Sequence, residues 1–420
     1  MTSTVARPLF APGLALLATF AVACGGARVA PDETPVAEYH FEPVLVSATF
    51  EDDGSITTTS RELPEIFAEA NDYLRADDYS HAIELYRTVL DQFPEEDDYI
   101  RVTHYNIGLA WEGLGEWDQA AYHYATVLDR WVASEDATWS YFRLAECRAH
   151  LGQWDEVPTL MQRARDRVGL AHIDHLETWL REANALLELR RYPEAEAHYA
   201  EVLAMNDRAA RAWDPETSDP DAEPLPEGHA IIAHAHFGRG RVYHELLLEI
   251  RLVLPEEQMI EDLVDKGQLL EQAQEAYLDA VRTGHRYWAP AAGYMTGQMY
   301  EDMHFDVLAA EVPDRFNELE VEVYFEMLRE QTRNALEQAV DIYESNLAMA
   351  YRLGSDNLWV EETLQSIRRV QAYLFEQEGW AEEERLILEG RHPRSAGFAD
   401  DMVFRSELER RGQRAAMPTL

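Results

Sequence analysis

From residue 63 onward, apolar positions recur three and four residues apart, the spacing that turns one face of a helix toward a core. The helices come in pairs, and the pairs repeat. Asp78-Tyr79-Ser80-His81-Ala82-Ile83-Glu84-Leu85-Tyr86 returns as Glu116-Trp117-Asp118-Gln119-Ala120-Ala121-Tyr122-His123-Tyr124. It returns again as Arg191-Tyr192-Pro193-Glu194-Ala195-Glu196-Ala197-His198-Tyr199, with a degenerate copy at Gln153-Trp154-Asp155-Glu156-Val157. Ala82, Ala120, Val157 and Ala195 stand roughly 37–38 residues apart. The first helix of a pair is marked by Ala70 and Tyr73 before Asp77-Asp78, by Gly108 and Trp111 before Gly115, and by Leu144-Ala145 before Gly152; Pro94 closes the first pair. A small residue lets two helices approach closely. An aromatic residue four positions later (Tyr86, Tyr124, Tyr199) shares its face and fills the gap to the next pair. These tyrosines, with Trp111, Trp117 and Trp154, are expected in the core, because one pair cannot bury its apolar face without its neighbours.

The period lies close to the 34 residues of the tetratricopeptide repeat, and residues 63–206 resemble that family. The resemblance implies an all-α fold of helix-turn-helix repeats stacked into a superhelical solenoid. It also implies a non-enzymatic role in holding other proteins. A stretch rich in Pro and Asp, residues 213–228, then breaks the pattern. Gly240 and Tyr243 start a fifth pair, which Ala273, Tyr277 and Ala280 complete after an inserted stretch at residues 246–266. Gly297 and Tyr300 start a sixth, completed by Ala339, Tyr343 and Leu347 beyond a second insert at residues 302–333, which contains the breaker Pro313. Residues 358–377 and 380–388 read as a weaker seventh pair, and residues 391–420 as an Arg-rich frayed tail. Residues 269–369 are similar to tetratricopeptide lipoproteins of the myxobacterial cell envelope, some of which serve the adventurous gliding-motility complex. That resemblance implies an envelope scaffold.

Before the repeats, residues 44–50 and 56–59 flank Asp52-Asp53-Gly54-Ser55 and read as a β-hairpin. Such a hairpin is marginal alone and must lean on helices or a partner. It belongs to a tether expected over residues 24–62. The repeat blocks are expected at 63–212 and 229–390, joined by the 213–228 linker.

The apolar run of residues 9–22 follows a lone Arg7 and ends in Ala21-Val22-Ala23-Cys24. It is too short to span a bilayer and reads as a secretory signal over residues 1–23. The cysteine after small residues resembles a bacterial lipobox, where the thiol is acylated and the chain is cut before it. Ordinary signal-peptidase cleavage after Ala23 fits the same residues. Several acyl chains on Cys24 would anchor stably where one would not. An Asp after the cysteine marks inner-membrane retention in that family. Gly25 stands there instead, so the expected site is the periplasmic face of the outer membrane, with the inner membrane and cell surface left open.

The formal net charge of −43 argues against nucleic acid, whose phosphates need a basic surface, and against lying flat on anionic lipid. Lys266 is the single lysine among 36 basic residues. Cys147 has no mature partner except Cys24, so no disulfide framework is expected.

No phosphate-binding glycine loop, nucleophile elbow or HExxH run occurs. Glu301-Asp302-Met303-His304 has the Glu-x-x-His spacing of di-iron bundles, but such sites need a second copy, which is missing. His234 and His236 stand two apart on one helix and cannot chelate together. His172 and His175, three apart, lack a further ligand nearby, and His229 and His244 complete a dense set read as surface or interhelical. No cofactor, metal or catalytic residue is expected.

Binding surfaces are the better question. In a tetratricopeptide superhelix the first helix of each pair lines the concave groove, which places Asn71, Asn106 and Arg143 there in three successive pairs. This resembles the carboxylate clamp with which some co-chaperone repeats hold a peptide C-terminus. It departs from the clamp at Phe67 and Trp139, where basic residues belong. A broader peptide groove is expected from Asn71, Tyr105, Asn106, Phe142, Arg143, Arg181 and Asn184. Two rival readings are an assembly factor for outer-membrane barrels and a glycan-binding lipoprotein. The second would use Tyr287, Trp288, Phe305, Phe316, Tyr324 and Phe325 as aromatic platforms.

Overall fold

The computed structural model describes residues 44–50, 55–167 and 169–375. The apolar run, Cys24, the tail and the second helix of the seventh pair lie outside them. The chain divides between Ser140 and Tyr141 into two compact units.

In the first unit β1 (Val44–Phe50) pairs antiparallel with β2 (Ile56–Glu62), Val44 opposite Glu62 and Phe50 opposite Ile56. The hairpin leans on helices as it must. Leu45 packs on the cluster of Leu63, Ile66, Val89 and Phe93, and Arg61 pairs with Glu69. β2 runs straight into α1 (Leu63–Arg75), whose start is fixed by a Glu62/Glu65 capping box and Pro64 in the first turn. α1 pairs with α2 (Tyr79–Gln92), and α3 (Asp97–Gly113) with α4 (Trp117–Arg130); α2 also packs on α3.

α5 (Glu135–His150) contains the division between the units. In the second unit a 3-10 turn, Trp154–Glu156, leads to the short α6 (Val157–Arg165), which packs on α7 (His172–Glu188). α7 pairs with α8 (Tyr192–Ala212), α9 (Ala230–Glu249) with α10 (Glu256–Arg282), and α11 (Trp288–Leu308) with α12 (Glu318–Leu353). α13 (Leu358–Phe375) packs on α12 and α11. Each unit is thus built of stacked tetratricopeptide-type helix pairs.

The repeat shows in the backbone too. Asp77, Gly115, Gly152 and Arg190 each stand seven residues after the small residue of a first helix, and all four have positive φ, between 57° and 75°. The small residues do what the spacing requires. A Cβ added to Gly297 would sit 2.3 Å from the Tyr343 ring, and one on Gly240 2.4 Å from Tyr277. Tyr86, Tyr124, Tyr199, Tyr277 and Tyr343 are all fully buried, whereas Trp111, Trp117 and Trp154 are half-buried at the edges of the pairs.

The two stretches read as inserts are mostly helix. Residues 246–249 finish α9 and residues 256–266 begin α10; residues 302–308 finish α11 and residues 318–333 begin α12. The last pairs therefore have long second helices of 27 and 36 residues.

Candidate functional site

The seven residues expected to line a peptide groove are all buried. In the first unit, Asn71 Oδ1 accepts from the Tyr86 hydroxyl at 2.5 Å and from Asn106 Nδ2 at 3.0 Å, and Asn106 Nδ2 also donates to Tyr86 Oη at 3.1 Å. The structure brings the two amides together, but as a tie between α1, α2 and α3. Tyr105 packs edge-on to Tyr124 with ring centroids 5.5 Å apart.

In the second unit, the fully buried Arg181 guanidinium donates to Glu177 Oε1 at 2.8 Å and to the Phe142 carbonyl at 2.9 Å, lies 3.3 Å from Glu146, and covers the Phe142 ring. Asn184 Oδ1 accepts from the Tyr199 hydroxyl at 2.6 Å. Arg143 is buried as well. These residues lie on first helices of their pairs, and their side chains are buried in the packing. Buried polar atoms generally find hydrogen-bonding partners; here Asn71 Oδ1, Asn106 Nδ2, Asn184 Oδ1 and the Arg181 guanidinium find theirs within the fold, while Asn106 Oδ1 and Asn184 Nδ2 find none among the described residues.

The last two pairs use other partners, one turn further along the first helix. The Tyr343 hydroxyl donates to Glu301 at 2.5 Å, and Tyr277 Oη lies 3.5 Å from His244 Nδ1. Glu301 also takes the Arg369 guanidinium at 2.7 Å. Burial pushes its carboxyl up to about 7, against the opposing pull of Arg369 and Tyr343. Asp302 faces His244 at 2.9 Å, and His304 Nδ1 lies 3.3 Å from the Thr332 carbonyl. The members of the Glu-x-x-His run thus reach different partners. Among the described residues no group of three or more His, Cys, Asp or Glu is placed to hold a metal ion.

Several other histidines also serve the interior. His229 caps α9 by accepting from the Ile231 amide at 3.2 Å. His234 stacks on Trp288 at 3.9 Å, and its burial pushes the imidazole down to about 3. His104 and His123 face each other with Nδ1 atoms 3.0 Å apart. Burial, helped by nearby Arg130 and Arg87 respectively, lowers both to about 4. Of the proposed aromatic platforms, Trp288 and Phe305 lie in the core, and Phe316 and Tyr324 pack on each other at 5.6 Å.

Two open regions remain as candidates. In the first unit a cleft of ≈ 710 Å³ is lined by Phe67, Val102 and Trp131 among charged groups. Arg101 there pairs with the buried Asp136, and Arg130 lies 4.1 Å over the Trp131 ring. In the second unit a groove of ≈ 370 Å³ runs between α10 and α12. Sequence reasoning missed both, because a groove belongs to the packing of three helices and leaves no mark on any one of them. It also missed the Lys266–Asp306 pair at 2.6 Å, although a lone lysine in an arginine-rich chain was a signal.

Residues 180–213, which span the end of α7 and all of α8, match the tetratricopeptide repeat family. No curated protein sequence matches the chain. Solved structures similar to it include the C-terminal part of a TPR repeat-containing protein from Cytophaga hutchinsonii, at 12% identity and TM-score 0.38, covering 75% of this chain and 98% of that one. A tetratricopeptide repeat protein from Parabacteroides merdae is 13% identical with TM-score 0.35, covering 72% and 98%. A TPR repeats protein from Bacteroides fragilis is 16% identical with TM-score 0.25, covering 74% and 98%. At these scores the likenesses add nothing to the helix pairing described above.

Proposed function

We propose that the chain is a non-enzymatic, protein-binding scaffold of the bacterial cell envelope. It is held by lipid on Cys24 at the periplasmic face of the outer membrane and acts as one subunit of a multi-protein complex. The observation that carries this reading is the run of stacked helix pairs. Such repeats offer extended surface along which another polypeptide can lie. The interior ionisable groups named above are drawn into ties between helices, which supports binding over chemistry. The placement of Cys24 after an apolar run and small residues supports the tether. The similarity of residues 269–369 to envelope lipoproteins suggests motility or secretion machinery as the class of complex.

The test is crosslinking and co-purification of the full-length protein from its own cells, with labelled palmitate fed to a parallel culture. A defined set of envelope proteins should be recovered, and label should enter the wild type but not Cys24→Ala. A set made of barrel-assembly components would select the assembly-factor variant of the same reading. Recovery of no protein would end the scaffold reading, and an unlabelled wild type would end the tether.

A further inference from the structure

We propose that the groove between α10 and α12, floored at its far end by α11, docks a basic amphipathic helix of a partner protein. The proposal rests on the scaffold reading above and names where, and by what chemistry, the partner is held.

The groove's geometry follows from the contacts between its helices. α11 runs antiparallel to α10, since Tyr300 meets Gln274 at 3.2 Å and Asp306 meets Lys266 at 2.6 Å. It runs antiparallel to α12 as well, since Asn346 donates to the Pro290 carbonyl at 3.0 Å and Tyr343 to Glu301 at 2.5 Å. α10 and α12 therefore lie parallel on either side of α11. They start together: Arg315, just before α12, is 2.5 Å from Glu256 at the start of α10, and Glu311 accepts from the Leu254 amide at 2.8 Å. Leu278 on α10, Thr296 on α11 and Ile342 on α12 line the ≈ 370 Å³ cavity at the far end.

The near end carries the unpartnered surface. Ile260 and Val264 on α10 are 65% and 55% exposed, and Val323 and Met327 on α12 are 48% and 52% exposed. Eighteen residues make five turns and return a side chain to the same face. Ile260 is eighteen residues before Leu278, while Val323 and Met327 are eighteen before Asp341 and Ser345, all of which line the cavity. The exposed apolar side chains therefore continue the walls of the cavity toward the helix starts. The resulting trough is about 27 Å long, the length of an eighteen-residue helix. Apolar side chains gathered in this way on a soluble surface mark an interaction site, and a trough between two helices suits a helix laid along it.

Charge selects the occupant. Residues 256–265 and 318–330 carry five carboxylates each, and Arg329 is the one basic residue in either segment. Glu261 and Asp265 on α10, and Glu322 and Glu326 on α12, flank the apolar stripes. A second copy of this chain would bring like charge to like, as would an anionic membrane. A helix with an apolar stripe edged by Lys or Arg meets both the apolar walls and the acidic rims.

The experiment uses the full chain and a fluorescein-labelled eighteen-residue helical peptide with leucines at i, i+3, i+4 and i+7 spacing and arginines beside them. A matched peptide carries glutamates in place of the arginines. Fluorescence anisotropy should show the arginine peptide binding at least about tenfold more tightly than the glutamate peptide, with affinity falling as salt rises. The quadruple variant Ile260→Ser, Val264→Ser, Val323→Ser, Met327→Ser should keep its helical circular dichroism and lose about tenfold or more in affinity. Equal binding of both peptides, or unchanged binding by the variant, would overturn the proposal. So would a concentration-dependent dimer in sedimentation that the variant abolishes, which would make the occupant a second copy. The same variant in the co-purification separates the two levels. A partner set recovered unchanged defeats the docking site and leaves the scaffold reading standing. Recovery of no set from wild-type cells defeats the scaffold reading itself.

Discussion

The hydroxyl of Tyr86 donates to Oδ1 of Asn71 across 2.5 Å, from the second helix of a pair back to the first. Tyr199 repeats the bond to Asn184 at 2.6 Å, with the same fifteen-residue separation. In the first pair Asn106 of the next pair joins in, so one bond both closes a repeat and attaches its neighbour. Tyr86→Phe leaves two buried amides short of a partner and should cost about 1–3 kcal/mol, measured by urea unfolding. Asn71→Ala and Asn106→Ala should likewise lower stability. Any loss of partner binding in those variants must be read against that loss.

Gly297 is held at close quarters by Tyr343, whose ring is fully buried and whose hydroxyl is tied to Glu301. Gly297→Ala should destabilise by about 1–3 kcal/mol through overpacking. Gly267, also inside a helix, has nothing within 4 Å of its would-be Cβ, so Gly267→Ala should stabilise by about 0.5–1 kcal/mol. Opposite signs in thermal unfolding are the expected outcome; matching signs would contradict the packing.

Glu301 binds its proton more tightly in the fold, at about 7, than its ordinary value of 4.5. Its contribution is fully present below 4.5 and is lost as the pH rises to about 7, roughly 3 kcal/mol in all. Measured as the difference in unfolding free energy between wild type and Glu301→Gln, the wild type should lose stability of that order relative to the variant across pH 4.5–7.5. In Glu301→Gln that component of the slope should vanish.

His104 and His123 have the opposite sign. Both are lowered to about 4 from 6.5, so their contribution is present above 6.5 and is lost as the pH falls toward 4. Hydrogen-exchange protection in α3 and α4, taken relative to the intrinsic amide rate at each pH, should therefore fall on acidification through this window. His123→Asn should blunt the change; an identical acid response in the variant would exclude the pair as its cause.

Lys266 is fully buried against Asp306 and the Leu247 carbonyl, each at 2.6 Å. Lys266→Met strands the carboxylate of Asp306, which is mostly buried, and should cost about 3–5 kcal/mol. Adding Asp306→Leu should recover most of that loss. A double variant as unstable as the single one would show that the lysine matters for some reason other than the pair.

Much of the fold was legible in the chain because the repeat rests on two local requirements. Ala82, Ala120 and Ala195 admit a close helix, and Tyr86, Tyr124 and Tyr199 fill the space beyond. The long second helices were harder to read. Residues 256–266 and 318–333 have no proline between them and the repeat body, so the helix simply continues, but Ile260, Val264, Val323 and Met327 are exposed and break the expected pattern. The burial of the groove residues was hidden for a different reason. Periodicity gives the direction of Asn71 or Arg181 around its own helix, and it carries no information about a Tyr86 or Glu146 waiting on another one.

The burial of Lys266 has a practical consequence for anyone seeking the partners. It is the chain's only side-chain primary amine, and none of its surface is exposed in the folded state. Amine-reactive crosslinkers will find no lysine to hold while the protein is folded, so an empty result with such reagents would report on reagent choice and not on binding. Carboxylate-directed or photoactivated chemistry reaches the acidic surface directly. Amine labelling becomes useful for another purpose: modification of Lys266 would count openings of the α9–α11 packing.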